Sequence, residues 1–301
     1  MSFFFKKIFL MQLIITIPLL LSTLINYVLL SYDNNFKFPG KENILVLGDS
    51  HTKYALNDSI LSNTYNFSQD AESYFYSYLK LKQFDKKNEQ LDTVILSFSQ
   101  HNIHKCIENK WLLNKQNLRD RLKHYIPLLS IHDYFFIFKN RPYMSIYALF
   151  NQIKYPAYLF MGKNIYGGYE ELNHDILKEE IDKQKKHGYR QEYKSFNDSP
   201  IETIYLQKIV EYCKSNDLIL ILINTPLYNT LHNKQNGLYN YYEMNFSNTI
   251  LLDFSKIEME DRYFGDLVHL SPIGAKYFTR LIKDKKLLNL ENSRIHNILY
   301  K

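Results

Sequence analysis

The chain has 301 residues, 46% hydrophobic and 23% charged, which excludes a disordered polypeptide and leaves room for one large or two small domains. Its formal net charge of +6 is mild, and the densest basic run, Lys183-Gln184-Lys185-Lys186, reads as a solvated helix face rather than a nucleic-acid footprint. Two cysteines, Cys106 and Cys213, could pair in an oxidising compartment, but they are too few for a disulfide framework and their spacing fits no zinc motif.

The first predicted element is a membrane helix. Residues 8–30 carry no charge over 23 positions. As a helix they would extend roughly 35 Å, enough to cross a hydrocarbon core of about 30 Å. Pro18 is tolerable there as a kink. Lys6 and Lys7 precede the apolar run and keep that end cytoplasmic, so everything after Tyr32 lies outside, in a periplasm or its equivalent. A cleaved signal peptide has the same order of charge. Against it stand the length of the run and the lack of an Ala-x-Ala-like site between Leu24 and Gly40. No nearby cysteine offers a lipid attachment point. The expectation is an uncleaved anchor over 1–30, then a linker over 31–42 that ends near the turn signal Pro39-Gly40.

From residue 43 onward, strands and helices alternate. A strand at 43–47 leads into Gly48-Asp49-Ser50. A helix is predicted at 71–83, with Tyr74, Tyr78 and Leu81 at helical spacing. A second buried strand follows at 93–98. The stretch 103–200 is less regular, with helices read at 111–125 and 170–186 around an aromatic segment at 134–169 that carries no clear period. Ser199-Pro200 opens a helix running to about 215. Strands follow at 218–223 and 248–254, and a last helix at 272–283. The pattern is that of parallel βαβ units in a layered α/β sheet, over 43–301, with a helical, aromatic-rich insertion at about 103–200. The 26 Tyr and 20 Phe beside abundant Asn, Lys and Ile have a coding-bias explanation. Their alternative use is as platforms for sugar rings.

Two strings carry chemistry. Gly48 permits a sharp turn at a strand end, and Ser50 would then face the crevice at the carboxyl edge of the sheet. Asp266-Leu267-Val268-His269 precedes a helix opened by Ser271 as N-cap and Pro272 at the first helical position. A serine nucleophile needs a base, and the base needs a partner that fixes its tautomer. Ser50, His269 and Asp266 supply these three roles. Each string alone also has a bland reading, as a loop tripeptide or a locally hydrogen-bonded histidine. Their positions at opposite ends of an α/β pattern give them weight. The side chain of His51 is expected to point away from Ser50. His101 and His104, after the second strand, are candidate substrate contacts. With His51 they could also group around a metal, although no carboxylate completes a recognisable ligand spacing.

Together these residues resemble the SGNH (GDSL-like) hydrolase family. Its first block looks like Gly48-Asp49-Ser50 and its last like Asp266-x-x-His269, so the resemblance spans most of the chain after the anchor. It implies a three-layer α/β/α fold with a mainly parallel sheet, and an enzyme that hydrolyses or transfers ester-linked acyl groups without cofactor or metal. The family's second block supplies a glycine N–H to the oxyanion; here the comparable stretch, residues 66–71, has no glycine, and Ala71 is the matching donor. Its third block supplies an asparagine; here Ser99-Gln100-His101-Asn102 makes Asn102 the matching residue, beside the Ser50 N–H. The expected partners are an acylated glycan of the cell envelope or another small ester, and the membrane, but no nucleic acid. The departures in the middle blocks leave open a non-catalytic glycan-binding or assembly component with the same fold.

Overall fold

A computed structural model describes residues 2–32, 34–160, 165–234, 236–285 and 298–299. Its first element is a helix, α1 (Ser2–Tyr32), with Pro18 inside it. Asp33, part of the expected linker, lies outside the described residues, as do 161–164 of the expected insertion.

The sheet is parallel throughout. Its strands are β1 (Ile44–Leu47), β2 (Thr64–Asn66), β3 (Thr93–Ser97), β4 (Ile219–Asn224) and β5 (Ile250–Asp253), in the order β2-β1-β3-β4-β5. A two-residue strand, β6 (Ile298–Leu299), pairs with β5. The strands read as continuous apolar runs because both faces are covered. Val46, Ile95, Ile221, Ile223 and Leu252 pack on one face with Ala275, Phe278 and Ile282 of the helix Pro272–Asp284. By the two-residue period, Leu45, Val94, Leu220 and Leu251 point to the other face; all four are buried. On that side the helices α3 (Tyr74–Lys87) and Pro200–Ser215 pack on each other. The result is three layers, helix, sheet and helix.

The strand order is doubly wound, with its switch point between β1 and β3. Ligands of such sheets bind outside the carboxyl ends of the strands at that point. The segments that follow β1 and β3 are Gly48-Asp49-Ser50 and Ser99-Gln100-His101-Asn102.

Serine caps set several helix starts. Ser73 accepts from the Phe75 N–H, so α3 begins after it rather than at 71. Ser199 and Ser271 cap the helices that start at Pro200 and Pro272, as their sequence signals predict. The helix read at 170–186 begins only at Leu177. Before it the chain is extended, held by Gly168 N–H to Ser68 O (3.0 Å) and Ile176 N–H to Gly265 O (2.7 Å). Gly167 in this segment has φ +136°, and a Cβ there would meet Phe67 O at 2.6 Å. The helix read at 111–125 starts at Lys115, where Asn114 accepts from the Gln116 and Asn117 N–H groups, and it contains a π-helical turn, Leu118–Leu122. The strand β2 and the helix Asn236–Phe246 add to the predicted elements.

The chain divides into two compact units. One combines residues 37–111 and 166–301 and contains the sheet; the other combines 1–36 and 112–165 and is helical. The helical unit is narrower than the 103–200 stretch and includes α1. Within it, the helices Ile131–Asn140 and Pro142–Asn151 are joined at Arg141 and pack on each other. Asn26 of α1 is buried and donates to Gln152 O (2.8 Å), while Gln152 donates to Thr23 Oγ1 (2.8 Å).

Candidate active site

The chain leaves β1 through Gly48, whose φ of +134° is open to glycine alone at low cost. A Cβ at Gly48 would stand 2.3 Å from Ser97 Cβ, so the turn lies directly against β3. Asp49 is fully buried and caps the short helix α2 (Ser50–Ala55), accepting from the His51 N–H at 3.2 Å. Its carboxylate also accepts from Ser97 Oγ (2.8 Å) and His101 Nε2 (2.5 Å). Burial works against this charge, but His101 and His51 beside it, with the hydrogen bonds from His101 and Ser97, hold the carboxyl well below the usual range. Ser50 is thus the first residue of a helix braced from below, and its N–H has no acceptor inside that helix.

The base arrives on a loop folded by its own carboxylate. Asp266 Oδ1 accepts from the N–H groups of Val268 and His269, each at 2.8 Å. A bridge between Phe264 and Leu270 closes the loop, and Gly265 N–H bonds His269 O at 3.1 Å. Asp266 Oδ2 accepts from His269 Nδ1 at 2.7 Å, and His269 Nε2 lies 2.8 Å from Ser50 Oγ. With its Nδ1 proton given to Asp266, the imidazole offers Nε2 as acceptor to the serine hydroxyl. Asp266 is buried, which opposes its charge; the His269 hydrogen bond and proximity, with His174 and the Val268 N–H, still hold it well below the usual carboxylate range. Ser50 and His269 are both partly open to solvent.

His174 is a participant that sequence reading missed. Its Nε2 donates to Asp266 Oδ2 at 3.0 Å from the extended segment before Leu177. It lies 92 residues from Asp266, and no local spacing could reveal that pairing.

Other expected residues take different places. The His51 ring does not point away from the site: it sits edge-on to the His269 ring at 5.2 Å and lies tilted by 33° against the His101 ring at 4.0 Å. Burial, with the nearby His101, pushes its pKa well down, so it stays neutral. His101 and His104, the candidate substrate contacts, are both turned to protein partners. His101 spends Nε2 on Asp49 and Nδ1 on Ser99 Oγ (2.5 Å). His104 donates to Ser195 O (3.0 Å) and accepts from the Cys106 N–H (3.2 Å), and both rings are buried. The grouping of His51 and His101 gains Asp49 instead of His104, with ligand atoms within 4.8 Å of one another. Asn102 Oδ1 accepts from the N–H (2.9 Å) and hydroxyl (2.9 Å) of Ser99, capping the helix α4 (Gln100–Ile103). Only its amide group is then left to act as a donor. Ala71 has a left-handed φ of +48° in a loop held to the Gly48 turn by Gln69 N–H to Gly48 O (2.9 Å). A non-glycine residue there is strained. Cys106 and Cys213 are both free thiols.

Fold and site together define a class: an all-parallel, doubly wound α/β domain with a Ser-His-Asp arrangement at the carboxyl edge of its sheet. No family model matches the sequence, and neither does any curated protein. Solved structures similar to it include a Streptococcus pneumoniae protein assigned as a platelet activating factor (11% identity, 90% of this chain and 96% of that one, TM-score 0.43). Others are a Bacteroides fragilis protein assigned as an acylhydrolase (10% identity, 86% and 94% covered, TM-score 0.38) and a GDSL-like lipase from Bacteroides thetaiotaomicron (10% identity, 88% and 98% covered, TM-score 0.37). The likeness is long but loose, and the geometry around Ser50 stands independently of it.

Proposed function

We propose that this chain is a membrane-anchored serine esterase or O-acyltransferase of the SGNH type, acting outside the cytoplasm on ester-linked acyl groups. The observation that carries the reading is the continuous contact Ser50 Oγ–His269 Nε2 (2.8 Å) and His269 Nδ1–Asp266 Oδ2 (2.7 Å) in a part-exposed setting. Ser50 Oγ attacks the ester carbonyl carbon while its proton passes to His269 Nε2. The oxyanion is met by the Ser50 N–H, with the Ala71 N–H and the Asn102 amide as further donors. The bond to the leaving alcohol breaks as His269 returns the proton to that oxygen, leaving an acyl-Ser50 ester. Water or a sugar hydroxyl then attacks, giving its proton to His269, and the acyl group leaves as acid or as a new ester. Asp266 orients the imidazole and balances its charge.

The anchor reading of α1 is supported by its packing. Thr23 and Asn26 are tied to Gln152, and Leu30 is buried, so cleavage behind the apolar run would strip partners from the helical unit. An external setting and the chain's many aromatic residues favour an acylated glycan of the cell envelope as substrate.

The test is release of p-nitrophenol from p-nitrophenyl acetate, and of acetate from acetylated glycans, by the full-length protein in detergent. Turnover that disappears in Ser50→Ala supports the reading. A well-folded wild-type protein that releases nothing from either substrate removes it in favour of a non-catalytic glycan-binding role.

A further inference from the structure

The helical unit has an outer face that water should not favour. Helices Ile131–Asn140 and Pro142–Asn151 bury Ile137, Met144 and Ala148 on their inner side. A helix on a soluble surface would turn polar residues outward. Here Ile131, Phe135 and Phe138, spaced four and three apart, are 73%, 58% and 37% exposed. Tyr143, Ile146 and Phe150, spaced three and four apart, are 72%, 44% and 47% exposed. Single exposed apolar residues are ordinary, but two stripes at helical spacing on adjoining helices are an interaction surface.

Two further observations name what covers it. The first is depth. At 1.5 Å per residue, Asn26 lies about 28 Å beyond Lys7 along α1, close to the far side of a hydrocarbon core of about 30 Å. Asn26 donates to Gln152 O, immediately after the helix Pro142–Asn151. The end of that helix is thereby pinned at the outer boundary between acyl chains and headgroups. The second is charge. Residues 112–165 contain eight Lys and Arg against two Asp, a net +6 equal to that of the whole chain. Exposed apolar stripes on a strongly basic segment are the composition of a helix that lies in an anionic membrane surface.

We propose that the helices Ile131–Asn140 and Pro142–Asn151 form an interfacial membrane platform, seated in the outer leaflet of anionic phospholipid beside α1. This rests on the reading of α1 as an anchor. Phe135, Ile146 and Phe150 enter the acyl region, and the exposed Lys139 and Lys154 meet the phosphates. The helical unit is then held by a surface as well as by a single span.

The chain has one tryptophan, Trp111, outside this unit, so tryptophan placed on the platform can be read by difference. Full-length protein is reconstituted into vesicles of phosphatidylcholine and phosphatidylglycerol whose acyl chains carry bromine. Phe135→Trp and Ile146→Trp report the platform, Leu20→Trp the span, and Lys186→Trp a solvent-facing helix. The expected result is blue-shifted, strongly quenched emission from Phe135→Trp, Ile146→Trp and Leu20→Trp, and none of it from Lys186→Trp. Replacing phosphatidylglycerol by phosphatidylcholine should lessen quenching at the platform and leave Leu20→Trp unchanged. The platform is overturned if Phe135→Trp and Ile146→Trp resemble Lys186→Trp while Leu20→Trp is quenched. It is equally overturned if their emission is blue-shifted but unquenched, since protein, such as a second copy, would then cover the face. An unquenched Leu20→Trp would instead refute the anchor.

Discussion

The sheet's edge holds two sets of serine, histidine and aspartate, and they have opposite fates. Ser50, His269 and Asp266 are linked at 2.8 and 2.7 Å; Ser99, His101 and Asp49 are linked at 2.5 and 2.5 Å. The histidine is turned around between them. Asp266 takes Nδ1 of His269 and leaves Nε2 to the serine, whereas Asp49 takes Nε2 of His101 and leaves Nδ1. Ser50 and His269 of the first set meet solvent. The second is sealed, with Ser99, His101 and Asp49 exposed by 1%, 5% and 0%. The hydroxyl of Ser99 is also within 2.9 Å of Asn102 Oδ1. The same three residue types are therefore left accessible in one place and sealed in the other. The buried set is a clamp that ties the β1 turn to the end of β3 and holds Ser50 in place.

The sharpest way to break this contrast is to remove each serine hydroxyl. Ser50→Ala should lower ester turnover roughly ten-thousand-fold with an unchanged melting temperature. Ser99→Ala should do the reverse, costing about 1 kcal/mol of stability while turnover stays within an order of magnitude. Chemical denaturation and a steady-state assay on both variants decide it. His101→Ala comes next. It strands the buried Asp49 carboxylate and should cost about 3 kcal/mol in a urea melt.

Acid offers a gentler test of the clamp. Asp49 is held below its ordinary value of 3.8, so its ionised form contributes stability that is complete above that value and is lost as pH falls through and below it. Wild-type stability measured by urea at successive pH values should therefore fall on the acid side. Asp49→Asn should be less stable at neutral pH and show a shallower acid decline. The smallest effect belongs to His174. Deleting one hydrogen bond to Asp266, of about 1 kcal/mol, should lower kcat about fivefold with KM unchanged. His174→Gln, which keeps a donor, should recover most of the loss, and a purely structural role would not give that pattern.

The sequence disclosed what was local. The strands β1, β3, β4 and β5 are continuous apolar runs, and Ser199-Pro200 and Ser271-Pro272 are caps written in two letters. Ser50 could be placed because it follows a strand, and the Asp266–His269 pair because it lies within one loop. The clamp was not legible: Asp49 and His101 are 52 residues apart, and their pairing exists only once β1 and β3 lie side by side. β2 escaped notice because Thr-Tyr-Asn is too short to show a period. The aromatic segment defeated periodicity for a physical reason. Helices with apolar residues on both their inner and outer sides, such as Pro142–Asn151, lose the polar face that marks a helix in sequence.

The most direct test of the account is covalent. Full-length protein treated with a fluorophosphonate should carry one adduct, mapped by peptide mass spectrometry to Ser50, and His269→Ala should lose it while keeping its fold. Ser99 should remain unmodified in the native state. A native wild-type protein that leaves Ser50 unlabelled, or one whose labelling persists undiminished in Ser50→Ala, would contradict the assignment of Ser50 as the nucleophile.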